Sequence, residues 1–141
     1  KALKAYPIKL RLMHDYILYG RQNIEKASEI YKTGGEEFKK GNFDKAIDFI
    51  GEAIKLHPNK QIYYDNYISA NYNVKEYNEI VNTYTQYKEY FTKIPPKIIY
   101  FVAESFYNLD DYQSSCALLL GLKDSNLFDF NTSNFPFCFN I

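Results

Sequence analysis

The chain has no tryptophan, one methionine, two histidines and two cysteines in 141 residues. Cys116 and Cys138 are too few for a disulfide framework, so a reducing, cytoplasmic compartment is the default expectation, with a pair between the two left open. His14 and His57 have no cysteine or histidine at ligand spacing, so neither is expected to hold a metal. His57 stands before Pro58 at an expected helix end, where a cation favours the helix dipole. Long apolar runs are missing as well: stretches such as residues 117–120 are only a few residues long, and no membrane-spanning helix is expected. Lys1, Lys4, Lys9 and Arg11 are not followed by a clean apolar block, which argues against a signal peptide. The first residue is Lys1 rather than methionine, and a fragment or processed form is expected.

Excess charge is absent too. Seventeen basic and seventeen acidic residues cancel, so the chain lacks the basic footprint of a nucleic-acid or anionic-membrane binder. Gly34-Gly35 follows no expected strand and precedes no Gly-Lys-Ser/Thr, so it is not a phosphate loop. Glu36-Glu37 and Asp110-Asp111 fall on a solvated face and a turn, whereas acid–base catalysis needs desolvated, shifted carboxyls. No Ser-His-Asp arrangement is present. The chain is therefore not expected to be an enzyme or to carry a cofactor. The sequon Asn131-Thr132-Ser133 has little weight without a secretion signal.

What the chain does have is rings and a period. Fifteen tyrosines and eleven phenylalanines exceed ordinary usage; an AT-rich coding sequence produces the same bias, yet tyrosine also packs a large ring while its hydroxyl reaches a polar partner. In residues 32–59, Phe38, Phe43, Ala46, Ile47, Ile50, Ala53, Ile54 and Leu56 recur at helical spacing, Gly41-Asn42 interrupts them once, and Pro58 closes the segment. This predicts helix, short turn, helix. The same grammar returns at Tyr77, 34 residues after Phe43, and at Tyr112, 35 residues further. The turns follow as Gly41-Asn42, Lys75-Glu76 and Asp110-Asp111, and the ring before each turn as Phe38, Tyr72 and Tyr107. On the second helices, Ala46, Ile80 and Ser115 correspond, then Ile50, Tyr84 and Leu119, then Ala53, Tyr87 and Leu122.

With this period the chain resembles the tetratricopeptide repeat family. The repeat near Ala27 carries the family pattern through Ile30, Gly34, Phe38, Gly41, Phe43, Ala46, Ala53 and Pro58. The second departs from it, with Ile68 for glycine, Ile80 and Tyr87 for small residues, and a late Pro95-Pro96. The third keeps Ala103, Phe106, Tyr107, Leu109 and Tyr112 but has Leu122 where a small residue is usual. The resemblance implies an all-α fold, a right-handed superhelical stack of antiparallel helix hairpins, or α-solenoid. Its parts are expected at residues 1–26 (an N-terminal helix, half repeat or cap), 27–60, 61–95 and 96–125 (three repeats), and 126–141 (an aromatic tail, extended or docked).

The N-terminal helix is expected over residues 7–19, with Pro7 at its first position and Gly20 as its stop. Ile8, Leu10, Leu12, Met13, Tyr16, Ile17 and Tyr19 make it apolar on more than one face, so it should be well buried. Leu12, Tyr16 and Tyr19 lie one period before Ala46, Ile50 and Ala53, which favours a half repeat. The tail has Phe128, Phe130, Phe135, Phe137 and Phe139 and a single charge, unlike a disordered segment. It is expected to dock on its own last repeat or on a neighbour. The spacing of Phe135, Phe137 and Phe139 suits an extended strand with one apolar face.

The resemblance implies binding along the first helices, which would line a concave groove. By register its lining is Tyr31, Phe38, Ile62, Asn66, Tyr72, Asn73, Lys97, Tyr100, Glu104, Tyr107 and Asn108. Aromatic and amide side chains there suit a partner helix or extended peptide with apolar side chains. The expected function is thus an adaptor or scaffold subunit of a larger assembly, with protein or peptide as partner. Family members that grip acidic chaperone tails use five Lys, Asn and Arg side chains; only Asn66 and Lys97 match, with Tyr31, Gly35 and Phe101 at the other positions. Two alternatives remain from the sequence: a dedicated chaperone cradling an apolar client segment, as secretion chaperones do, and an RNA-binding helical repeat, which neutral charge disfavours.

Overall fold

The computed structural model describes residues 8–139. It has seven α-helices: α1 (Ile8–Tyr19), α2 (Arg21–Lys39), α3 (Phe43–Leu56), α4 (Gln61–Asn73), α5 (Tyr77–Tyr90), α6 (Pro96–Asn108) and α7 (Tyr112–Ser125). No strand occurs among the described residues. Local chemistry sets the ends. Gly20, at φ +82°, separates α1 from α2. Pro96 opens α6, where a missing N–H costs nothing. The Asp111 carboxylate caps α7 by accepting from the Ser114 N–H, and Asn126 closes that helix in the left-handed conformation. The expected first position of α1, Pro7, lies outside the described residues.

The period read from the sequence reappears in the backbone. Gly41, Lys75 and Asp110 all take positive φ, at 82°, 60° and 65°. The next residue of each turn donates its N–H to a carbonyl five residues back: Asn42 to Glu37, Glu76 to Asn71, Asp111 to Phe106, at 2.9–3.0 Å. On the second helices, Ala46, Ile80 and Ser115 are buried, as are Ile50, Tyr84 and Leu119, then Ala53, Tyr87 and Leu122, none more than 8% exposed. Helix α2 runs continuously from Arg21 to Lys39, across the expected start of the first repeat near Ala27.

Neighbouring helices pack in chain order, and α4 also touches α6. Within the hairpins, α2 and α3 pack most extensively, then α6 and α7, then α4 and α5. Residues at one corresponding position run in the same order of size, glycine, alanine and isoleucine. Gly34 faces α3, where an added Cβ would stand 2.9 Å from Ile50 Cγ1, while the corresponding Ala103 and Ile68 are fully buried. One apolar core runs from Ala27 to Val102, and a second joins Ala103, Leu119 and Phe135. Tyrosine supplies much of the first. Tyr63, Tyr64, Tyr84 and Tyr87 are buried, with Tyr64 donating to the Pro58 carbonyl and Tyr87 to the Asp65 carboxylate. Gln86 and Gln61 donate to those same two hydroxyls at 3.0 and 2.8 Å. The buried Tyr87 hydroxyl is thus satisfied by two partners on α4.

Two sequence expectations are overturned. Helix α1 is not well buried: Leu12, Met13, Tyr16 and Leu18 are exposed, and Ile17 is 80% exposed. It packs on α2, and Tyr19 at its end brings its ring to 5.9 Å from that of His57. Polar contacts hold it as well. The buried Asp15 carboxylate lies 2.7 Å from His57 Nε2 at the end of α3, and Asn59 donates to the same carboxylate. The tail is not a strand either. Asn131 accepts from the Ser133 N–H at 3.1 Å, a local turn that leads into a 3-10 helix over Thr132–Asn134. Phe135 is consequently buried while Phe137 is 68% exposed, so the two do not share one apolar face. The tail docks on the chain's own last hairpin, as one of the two expectations had it, and Cys138 is disulfide-bonded to Cys116 of α7.

Candidate functional site

The eleven residues expected along the groove divide into three sets. The first is an open cavity of about 490 Å³ between α2 and α4. Tyr31, Phe38 and Asn66 line it, together with Gly35, Lys39 and Ile50. Helix α2 presents Tyr31, Gly35 and Phe38 on one face through the 3.6-residue repeat. Asn66 reaches across from α4 and donates to the Tyr31 hydroxyl. The Tyr31 ring rests on Tyr63 with centroids 4.6 Å apart, and Phe38 meets Phe43 edge-on at 5.2 Å. Burial raises the Tyr31 pKa, with the Asn66 bond opposing it, so the hydroxyl stays a neutral donor and acceptor at physiological pH. The cavity is therefore lined by two rings, one amide–hydroxyl pair, Ile50 and the charged side chains of Lys32, Glu36 and Lys39. Sequence reasoning also named Gly35, whose bare Cα leaves the space open: a Cβ there would meet nothing within 4 Å.

The second set is closed on itself. Tyr72 stacks on Phe101 with centroids 3.8 Å apart and 16° between planes. Tyr100 donates to Glu104 Oε1 at 3.0 Å, and burial followed by that carboxylate pushes its pKa up to about 12. Burial and Glu104 also raise Tyr72. Lys97 lies with its ammonium 5.6 Å over the Phe101 ring. Asn73 and Asn108 turn back onto their own helices, each donating to the carbonyl four residues earlier at 2.8 Å. Ile62 is exposed.

The third set is covered by the tail. Tyr107 lies 5.1 Å from Phe135 and 6.0 Å from Phe137, and its hydroxyl accepts from the Phe137 N–H at 3.2 Å. Tyr100 meets Phe128 at 5.0 Å and Phe130 at 5.7 Å. Rings expected to face a partner on α6 are thus satisfied from within. The sequence signal was available in five phenylalanines with little charge, but not the surface they would cover. The disulfide was equally legible as a possibility and illegible as a pairing, because Cys116 and Cys138 are 22 residues apart. No protein-family model matches the chain, and no curated protein matches its sequence. No helix among the described residues is long and apolar enough to cross a membrane.

Proposed function

We propose that the chain is a protein-interaction module, a tetratricopeptide-like right-handed superhelical stack that holds a segment of a partner protein. The single observation that carries this reading is the cavity walled by Tyr31, Phe38 and Asn66. It is lined by residues of α2 and α4 with Ile50 of α3, open at its mouth, and left unfilled by the chain's own tail. Aromatic walls with one convergent polar pair suit an apolar side chain presented by a helix or an extended peptide. The tail supplies an internal example of such a segment, since Phe128, Phe130 and Phe135 lie against Tyr100 much as a partner's rings would lie against Tyr31. The role that follows is that of an adaptor or scaffold subunit in a larger assembly.

Gly35→Arg tests it. A Cβ at this position meets nothing within 4 Å, and Gly35 lines the cavity, so the arginine adds a long charged side chain at its wall. Proteins retained from a native extract by immobilised wild type and by Gly35→Arg are compared by quantitative mass spectrometry. A protein held by the wild type and lost from the variant supports the reading; identical sets sink it. A cytoplasmic location conflicts with the disulfide, since the cytosol keeps thiols reduced. Acid-quenched thiol labelling of the protein as extracted reads the state of the pair directly.

A further inference from the structure

A second groove lies between α3 and α5, over the side of α4 that faces away from Asn66. Its floor includes Tyr67 and Asn71, which sit roughly 100–140° round α4 from Asn66 at 3.6 residues per turn. Two adjoining cavities form it, of about 410 Å³ and about 280 Å³, sharing Ile47, Asp48, Tyr67 and Glu79. Gly51 keeps it deep by letting the Tyr67 ring lie against α3, where an added Cβ would stand 3.3 Å from Tyr67 Cε1.

The rim is acidic. Asp44, Asp48 and Glu52 of α3 face Glu76 and Glu79 at the start of α5. One basic side chain joins the lining, Lys55, and its ammonium is already 3.3 Å from Glu52. The whole chain is charge-balanced, so this segregation is local. The carboxylates do not converge: among the described residues no group of three or more ligand side chains is close enough to hold a metal ion. Asp44, Asp48 and Glu52 instead form a stripe, each step about 6 Å along the helix. Side chains on one face of an extended chain repeat at about 6.5 Å. A second observation points to an occupant. Thr83 is 7% exposed and lines the deeper cavity, where its hydroxyl makes no hydrogen bond to a described residue and is open to the cavity's solvent. Thr85, one turn-position away, bonds back to the Val81 carbonyl at 3.3 Å.

We infer that this groove binds an extended basic segment of a partner protein, with Lys or Arg at alternate positions meeting the α3 stripe and Glu79. The intervening apolar side chains lie over Tyr67 and Gly51, and a backbone group reaches the Thr83 hydroxyl. The surface is separate from the cavity at Tyr31, so the two readings stand or fall apart. Because the carboxylates are solvent-exposed, attraction needs several contacts at once and weakens with salt.

The test uses fluorescence anisotropy with a short labelled peptide alternating lysine and leucine, and its glutamate–leucine counterpart. In salt of about 50 mM, where screening is weak, the wild type should bind the lysine peptide about tenfold or more tightly than the glutamate peptide. Asp48→Lys with Glu79→Lys should abolish that preference, and Asp44→Lys with Asp48→Lys, confined to exposed positions of α3, should do the same if the first pair disturbs folding. Thr83→Val should weaken binding several-fold without changing the salt dependence. Glu25→Lys with Asp124→Lys, the same charge change elsewhere, should leave binding within about twofold, as should Gly35→Arg. No preference in the wild type, or an equal loss in the Glu25 and Asp124 control, overturns the inference.

Discussion

Gly34 and Gly35 are adjacent, yet they do opposite work. Gly34 faces α3, and a methyl there would press on Ile50 Cγ1 and Phe49 Cβ at 2.9 and 3.1 Å. Gly34→Ala should therefore lose about 1–3 kcal/mol through overpacking, more than the gain in helix propensity. Gly35→Ala meets no atom and should gain about 0.5–1 kcal/mol. Urea denaturation of the pair checks this; two changes of the same sign would mean that α2 is rotated about its axis. Asp65 offers a pH-dependent case at the same scale. Burial holds its carboxyl above the usual range, with the Tyr87 hydroxyl pulling the other way. A raised folded value adds stability below the unfolded pKa, and that contribution is lost as pH rises through the folded value. At neutral pH ionised Asp65 is therefore a cost. Asp65→Asn keeps an acceptor for Tyr87 and removes the charge, so its Tm should exceed that of the wild type at pH 7, with the gap closing below about pH 4. A gap that widens on acidification contradicts the assignment.

Three interchangeable turns define the elements. Each needs one residue at positive φ, and only the first uses glycine there. Lys75 bears the strain without compensation, so Lys75→Gly should raise stability by about 1 kcal/mol. Asp110→Gly should gain less, because aspartate tolerates this region and Asp110 also accepts from the Tyr112 hydroxyl at 2.9 Å. Helix α1 is joined to the end of α3 by the buried Asp15–His57 pair and by the Tyr19 ring, 5.9 Å from that of His57. Removing the Asp15 carboxylate leaves the buried His57 ring and the Asn59 amide without their shared hydrogen-bond partner, at a cost of about 1–3 kcal/mol. In Asp15→Ala, amide exchange in α1 should speed up while α3 to α6 keep their protection. Unchanged protection of α1 would mean that its apolar edge on α2 suffices.

At the scale of the whole molecule the tail closes the far end of the stack. Its disulfide spans 22 residues of sequence, for which chain entropy gives about 3 kcal/mol. Cys138→Ser should lower stability by about that amount, and reductant should do the same to the wild type but not to the variant. Tyrosine fluorescence should report Tyr107 and Tyr100 becoming exposed. If reduction changes nothing, the ring contacts alone hold the tail, and the disulfide is incidental to its docking.

The helices, their phase and their buried register were legible from the spacing of Phe38, Ala46, Ile50 and their counterparts, because a helix face is set by local periodicity. Other features depended on what each surface meets. Helix α1 has the composition of a buried helix and lies exposed. Phe135, Phe137 and Phe139 alternate like a strand, but local bonds of Asn131 and a disulfide turn them into a compact plug on α6 and α7. That plug occupies Tyr100 and Tyr107 and leaves the cavity at Tyr31 open. Period is a property of neighbours along the chain, and the sequence determined it; occupancy is a property of segments far apart, and only the tertiary structure decided it.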